Sequence, residues 1–149
     1  MYDYNQLQAL MERTVHKYNQ FEKIKHTYQG GVELTHAELH TIACIGDHPG
    51  LNLTTLAKMK GITKSAASQM IYRLRDKGLV TKEVAAHSDA AICIGLTEVG
   101  QRAYEEHKNH HEKANNQFFN MLEKVPEDTA RELEQILLQF DQAIDEWMK

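Results

Sequence analysis

The chain has 149 residues, of which 42% are hydrophobic and 26% are charged, and its formal net charge is −4. This balance excludes a disordered tail and a collagen-like fibre, and no stretch approaches the roughly 18 uninterrupted apolar residues of a membrane span. No basic and apolar leader follows Met1, and Cys44 and Cys93 do not form a CxxC pair. The sequence therefore predicts a single domain-sized unit in the reducing cytoplasm.

The charge is distributed unevenly along the chain. Residues 58–82 include seven basic side chains and one acidic side chain, whereas residues 123–149 include eight acidic and three basic side chains. A basic block inside an acidic chain predicts a local site for a polyanion. A solvated helix face would give the same charge count, so the structure around the block has to decide between the two.

The N-terminal part predicts two helices. Apolar and aromatic side chains recur at helical spacing over residues 4–28, and the glycine pair 30–31 ends that segment. Thr35 and Glu38 form a capping-box pattern that begins a second helix reaching about Ile45. A turn cluster follows this second helix.

The central part predicts two short helices. The first spans about Thr54 to Lys60 and is closed by Gly61, and the second is capped by Thr63 and extends to about Lys77. One face of the second helix carries an apolar stripe, which indicates packing against a core. The stripe consists of Ala67, Met70, Ile71 and Leu74.

Beyond Leu79 the pattern changes from helical to alternating. Two β-prone runs, 80–84 and 92–94, flank a turn and predict a β-hairpin. A long polar helix is predicted from about Glu98 to Met121, and a last helix begins near Pro126. The apolar stripe of the last helix consists of Leu133, Ile136, Leu137, Phe140, Ile144 and Trp147.

Two short helices, a glycine turn and a hairpin in this order indicate a winged helix-turn-helix in a mainly α (α+β) protein. The second helix of such a pair can enter the DNA major groove, which is roughly 12 Å wide. Polar side chains there suit base edges, and basic side chains suit phosphates. The candidate DNA-binding residues are Lys64, Ser65, Ser68, Gln69, Tyr72, Arg73, Arg75 and Lys82. A small α+β domain without a DNA site is the alternative.

Three segments resemble the MarR family of bacterial and archaeal transcriptional regulators. They are residues 62–68 (ITKSAAS), 74–80 (LRDKGLV) and 95–100 (GLTEVG), and the order of elements agrees over nearly the whole chain. The resemblance implies a regulator rather than an enzyme. It also implies an obligate homodimer that binds a pseudo-palindromic site in double-stranded DNA, with half-sites about one turn apart.

The resemblance further implies one intertwined unit. Residues 1–30 and 100–149 would form a helical dimerisation region, and residues 34–99 would form the winged helix-turn-helix. The sequence departs from the family at the wing tip, where the usual Asp-x-Arg is replaced by residues 88–90 (SDA). The wing arginine expected in the minor groove is therefore missing.

Nine histidines in 149 residues favour a metal as the regulatory signal. His107 and His111 are four residues apart in the long polar helix, and His36 and His40 have the same spacing in the second helix. Two imidazoles on one helix face can chelate one ion, although solvated histidines show this spacing too. The sequence after His111 does not complete the HExxH motif of zinc proteases, because Asn115 occupies its last position.

The histidine pattern closely resembles that of the zinc-responsive MarR repressors that control zinc uptake. The resemblance places a primary metal site on Glu22, His40, His107 and His111. Three imidazoles and one carboxylate suit tetrahedral Zn²⁺ without an open position, although another divalent transition metal could also bind. The relatives imply that zinc acts as a co-repressor, linking the three helices and favouring DNA binding.

A second metal site of those repressors is incomplete in this sequence. Tyr28 stands at the position of its cysteine and Leu39 at the position of one acid, so that only Glu106 remains. The spare histidines are His26, His36 and His110.

Three other functions are compatible with parts of the sequence. The main alternative is a MarR-like regulator that is released from DNA by a small organic, aromatic ligand. Oxidation sensing would need an accessible cysteine of low pKa, whereas Cys44 and Cys93 are predicted to pack in the core. A metal-dependent hydrolase would need an open coordination position, which Glu22 would close.

Overall fold

The computed structural model describes residues 1–28, 30–84 and 92–149, without the side chains of residue 84 and of residues 110–118. Within these residues the chain forms six helices and two antiparallel hairpins. In chain order they are α1 (Tyr4–Phe21), β1 (Lys25–Thr27), β2 (Glu33–Thr35), α2 (His36–Asp47), α3 (Leu53–Lys60), α4 (Lys64–Asp76), β3 (Val80–Val84), β4 (Ile92–Leu96), α5 (Glu98–Leu122) and α6 (Glu127–Trp147). This composition confirms the predicted mainly helical winged fold. The chain divides into two compact units, 1–108 and 109–149.

The first helix ends earlier than the prediction of residues 4–28, which was wrong over its last seven positions. α1 stops at Phe21, and strand β1 pairs with β2 through the register Lys25 with Thr35. Hydrogen bonds from the first amides of α2 explain why α1 ends at Phe21. The N–H of His36 donates to the carbonyl of Ile24, and the N–H of Ala37 donates to the carbonyl of Glu22. The first amides of α2, which have no partner in their own helix, are satisfied by the chain leaving α1.

Side-chain caps mark the starts of the three short helices α2, α3 and α4. Thr35 and Glu38 form the complete capping box of α2. The side chain of Thr63 accepts from the Ala66 amide at the start of α4. Asn52 caps α3, which ends at Gly61 with a left-handed φ of 63°. These caps fix the positions of the three short helices, because each satisfies an amide that the helix cannot satisfy itself.

The core of the first unit lies where α2, α3, α4 and the β3–β4 hairpin meet. The predicted stripe of α4 is confirmed, since Ala67, Ile71 and Leu74 are buried and Met70 is half-buried. The fully buried side chains around it include Leu34, Leu39, Ile42, Leu56 and Leu79. Packing of α4 on this core leaves its opposite face toward solvent.

The wing hairpin has the register Val80 with Leu96 and Val84 with Ile92. Its base is held to the core by hydrogen bonds from the Ile94 amide to the Leu51 carbonyl and from the Thr97 amide to the Leu79 carbonyl. The predicted wing tip at residues 88–90 lies outside the described residues.

The two long C-terminal helices have the predicted bounds within one or two residues. α6 begins directly after Pro126, which has no side-chain cap. Its predicted apolar stripe is largely exposed to solvent, with exposed fractions of 59% for Ile136, 53% for Leu137 and 75% for Trp147. In the described part of the chain, no helix is both long and apolar enough to cross a membrane.

Candidate functional site

The outward face of α4 carries the candidate DNA-binding residues. Their side chains are exposed except for Ser68, which is half-buried, and Lys82 is exposed on β3. The exposed set on α4 is Lys64, Ser65, Gln69, Tyr72, Arg73 and Arg75. The surface therefore has hydroxyl and amide groups at the N-terminal end of the helix and guanidinium groups near its C-terminal end.

Tyr72 is a large aromatic side chain on this surface, with 62% of its area exposed. The guanidinium of Arg75 lies 5.8 Å from the centre of the Tyr72 ring, within the range of a cation–π interaction. This contact restricts the conformation of Arg75 without consuming its hydrogen-bond donors.

Lys77 belongs to the basic block but is directed toward the protein. Its Nζ lies 2.9 Å from both carboxylate oxygens of Glu38 and donates to the carbonyl of Glu33 at 2.9 Å. Glu38 is buried, so the pair is an internal tie between α2 and the end of α4. The charge count alone could not distinguish this lysine from the exposed ones.

Three of the four predicted metal ligands lie together. Nδ1 of His40 is 3.0 Å from Oε1 of Glu22, and the ring centres of His40 and His107 are 5.6 Å apart. Glu22 follows α1, His40 lies in the middle of α2 and His107 lies on α5, so each residue comes from a different element. His107 is buried, with 6% of its area exposed.

The environment of Glu22 suits a metal ligand. Its Oε1 is buried and forms no hydrogen bond to a described residue, even though the His40 ring lies beside it. Two ligands of one tetrahedral zinc ion lie about 3.3 Å apart, given metal–ligand distances of about 2.0–2.1 Å. The 3.0 Å separation of the two side chains is close to that value.

Tyr18 covers this carboxylate from α1. The pKa of the Tyr18 hydroxyl is raised first by burial, then by the negative charge of Glu22 and by a hydrogen bond to it. Sequence analysis missed Tyr18, because a tyrosine at helical spacing reads as part of an apolar stripe.

Among the residues whose side chains the structure describes, no group of three or more His, Cys, Asp or Glu side chains is already arranged to hold a metal ion. The predicted fourth ligand, His111, belongs to α5 and follows His107 by four residues. The structure does not describe its side chain. The four-residue site therefore stays a prediction.

Further aromatic rings extend from this cluster. His36 lies 5.7 Å from His40 and 4.9 Å from His26, measured between ring centres, and stacks on Phe21 at 4.0 Å. The spare histidines His26 and His36 thus pack beside the candidate site.

The positions of the incomplete second site do not offer a thiolate. The pKa of the Tyr28 hydroxyl is raised first by burial and then by the negative charge of Glu106. A protonated phenol is a poor metal ligand compared with the cysteine it replaces.

Core packing was predicted for both cysteines, and the structure shows it for Cys44, which is half-buried against the core, whereas Cys93 is half-buried on β4 and is not part of that core. Burial raises the pKa of the Cys44 thiol, which favours its unreactive protonated form. The thiol of Cys93 donates to the Glu83 carbonyl at 3.5 Å.

A polar cluster next to the metal ligands was not anticipated from the sequence. The Tyr104 hydroxyl donates to Oδ1 of Asp47 at 2.6 Å and accepts from Nζ of Lys108 at 2.9 Å. The hydrogen bonds from Tyr104 and then Lys108 hold the pKa of the Asp47 carboxyl below its usual range. The three residues are far apart in sequence or lack a recognisable motif, so only the structure could reveal them.

Comparison with known proteins finds a family model that is similar to the helix-turn-helix segment. Residues 34–84 match the family model described as MarR family. The HTH-type transcriptional regulator YhjH of Bacillus subtilis is 26% identical over 96 residues, which cover 64% of this chain and 55% of YhjH. The matched part thus spans little more than half the length of that relative. Its description agrees with the prediction of a regulator rather than an enzyme.

Solved structures extend the similarity over nearly the whole chain. The zinc-responsive MarR family member ZitR of Lactococcus lactis gives a TM-score of 0.65 at 18% identity, covering 94% of this chain and 97% of that one. ZitR in complex with DNA gives 0.66 at 18% identity, covering 100% and 99%. FabT of Streptococcus pneumoniae in complex with DNA gives 0.68 at 16% identity, covering 97% and 99%. At these identities the structures establish the fold over nearly the whole chain, and the MarR family model matches its helix-turn-helix segment, residues 34–84.

Proposed function

We propose that the chain is a homodimeric, DNA-binding transcriptional repressor whose DNA affinity is controlled by zinc. The observation that carries the zinc part is the convergence of Glu22, His40 and His107 from three separate elements. The proposal includes the predicted cytoplasmic location, since a transcriptional regulator acts where the DNA lies.

The exposed face of α4 supports the DNA-binding part. A helix with one buried apolar stripe and an opposite polar, basic face is suited to insertion into the major groove. Ser65, Ser68 and Gln69 would contact base edges. The phosphate contacts would come from Lys64, Tyr72, Arg73, Arg75 and Lys82. DNA complexes of ZitR and FabT, which share the fold, are consistent with this use of the surface.

The donor set supports the zinc part. Glu22, His40, His107 and His111 would hold the ion, and the ion would supply a fixed link between α2, α5 and the chain after α1. The protein's own contribution is to bury one oxygen of the Glu22 carboxylate and to shield the His107 ring from water. The zinc response of ZitR, whose fold this chain shares, is consistent with such a site.

Exposed apolar faces support the homodimer. α1 exposes Leu7, Leu10 and Val15, each by 47–48%, and α6 exposes Leu133, Ile136 and Leu137 by 42–59%. Single exposed apolar residues are ordinary, but rows of them on helices are typical of interfaces between subunits.

Zinc binding and its effect on DNA affinity test the proposal. We expect the zinc-loaded protein to retain about one zinc ion per protomer after dialysis, and His107→Ala to lose it. We also expect DNA affinity, measured on a duplex selected from a random pool, to rise about tenfold from chelator to saturating zinc. The exposed His16→Ala is the matched control and should behave like the parent. Equal DNA affinity with chelator and with zinc would contradict zinc control.

A second candidate function is release from DNA by a small organic ligand. A cleft of about 1130 Å³ lies between α1, α2 and α4, with Tyr18, Tyr72 and Arg73 in its wall. The aromatic rings and the cation suit an aromatic acid. Loss of DNA binding in the presence of salicylate, with chelator throughout, would favour this function over zinc control.

A further inference from the structure

We propose that Gly46, Asp47, Tyr104 and Lys108 form a clamp that positions His107 against His40. This inference rests on the proposed metal site and assigns to it a set of residues that do not touch the metal. We use the name helix clamp for these four residues.

Helices α2 and α5 contact each other at two places: Tyr104 with Asp47, the lower contact, and His107 with His40, the upper contact. His40 and Asp47 are seven residues apart on α2, which is about two turns, so they lie on the same side of the helix. Tyr104 and His107 are three residues apart on α5 and are neighbours on its surface. Tyr104 contacts Asp47, and His107 contacts His40, so the two helices run in opposite directions at this junction.

The lower contact, between Tyr104 and Asp47, fixes the distance between α2 and α5. A Cβ atom at Gly46 would lie 2.6 Å from two atoms of the Tyr104 ring, so only glycine allows the ring to pack on the α2 backbone. The Tyr104 hydroxyl then donates to Asp47 at 2.6 Å, and Lys108 donates back to that hydroxyl at 2.9 Å. The ammonium of Lys108 also lies 5.2 Å from the centre of the Tyr104 ring.

At the upper contact, the distance between α2 and α5 determines how closely His107 approaches His40. His107 is one turn beyond Tyr104, and its ring must approach His40 for both imidazoles to share one ion. A displacement of α5 away from α2 would lengthen the 5.6 Å between the two ring centres, whereas a shared zinc ion needs a nitrogen of each ring within about 2.0–2.1 Å. The helix clamp therefore acts through His107 as a positioning device.

Two variants and one control test the helix clamp by zinc competition against a chelator. Tyr104→Phe removes the hydroxyl, and Gly46→Ala pushes the Tyr104 ring while leaving all three polar groups. We expect each to weaken zinc affinity about tenfold at an unchanged saturating stoichiometry. Arg102→Ala, which removes an exposed ion pair with Glu98 on the same helix, should leave zinc affinity unchanged.

A second measurement on the metal-free protein separates this inference from the proposed function. Imidazole signals of His107 in nitrogen-15 spectra, assigned through His107→Ala, report its environment without any metal. We expect the signal to shift in Tyr104→Phe and in Gly46→Ala, and to stay in place in Arg102→Ala. If zinc does not bind the parent but this signal shifts, the proposed metal control fails and the positioning of His107 stands. An unchanged His107 signal in both clamp variants would overturn the helix clamp.

Discussion

The ammonium group of Lys77 is paired with a buried carboxylate, although the sequence places Lys77 in a basic block and a third of its side chain is exposed. The side chain of Glu38 is 5% exposed. Its carboxylate accepts a hydrogen bond from Lys77 and another from the Thr35 amide, the latter as part of the capping box. A carboxylate this deeply buried needs its cation, because a lone buried charge is costly.

Lys77→Ala is expected to destabilise the fold by about 2 kcal/mol, because it leaves Glu38 buried without a cation. Denaturant unfolding of the parent and the variant measures the loss. The variant should also leave the salt dependence of DNA binding unchanged, since the charge of Lys77 is already paired with Glu38. Lys82→Ala is the matched control, with unchanged stability and a reduced salt slope. A stability loss no larger than that of Lys82→Ala would show that the tie to Glu38 is dispensable.

The sequence predicted which residues would meet at the candidate site, whereas their role as metal ligands stays a prediction. The convergence of Glu22, His40 and His107 agrees with the ligand set that the family resemblance implied. Local spacing could suggest only pairs within one helix, His107 with His111 and His36 with His40, since residues on three elements meet through tertiary packing. Lys77 and Tyr104 escaped prediction for the same reason, because their partners Glu38 and Asp47 are distant in sequence.

At the scale of elements, caps and glycines predicted the short helices well, whereas the end of α1 was missed. The segment after Phe21 has no proline or glycine before Gly30, so local propensity allowed the helix to continue. Pairing of β1 with β2 and the hydrogen bonds from the start of α2 overrode that propensity. The early end matters for the site, because it brings Glu22 beside α2 instead of leaving it within an exposed helix.

The cap of α4 connects element stability to DNA binding. Thr63 accepts from the Ala66 amide at 3.1 Å, and the candidate base-contacting residues begin in the same turn. Thr63→Ala is expected to cost about 1 kcal/mol of stability and to loosen this turn. Hydrogen exchange at the Ala66 amide should accelerate, and DNA affinity should fall.

Thr54→Ala is the control for this cap, since Thr54 is an exposed threonine in the first turn of α3 and is not its cap. It should change neither exchange at Ala66 nor DNA affinity. Unchanged exchange at Ala66 in Thr63→Ala would show that the first turn of α4 is held by the core instead of by its cap.

At the scale of the whole molecule, the apolar stripe of α6 was predicted from spacing, but its partner could not be. The stripe has helical periodicity, and periodicity reports only that a face avoids water, without saying what covers it. In the structure of one chain this face is largely exposed at Leu133, Ile136 and Leu137. The family resemblance supplied the homodimer as the covering partner.

A charge placed in this stripe should separate the subunits. Leu137→Glu would bury a carboxylate in the proposed apolar interface, which is unfavourable unless the charge is paired. We expect sedimentation analysis to show monomers where the parent forms dimers. DNA affinity should fall steeply, because two coupled half-site contacts become independent. Zinc retention should persist, since the proposed ligands all come from one protomer.

Gln135→Glu introduces the same charge on a different face of α6 and is the matched control. It should remain dimeric and should bind DNA like the parent. A dimeric Leu137→Glu would place the interface elsewhere and leave the exposed stripe of α6 in need of another partner. A monomeric variant that also loses zinc would instead connect the metal site to subunit contact, because the charge at position 137 lies on a different helix from each proposed ligand.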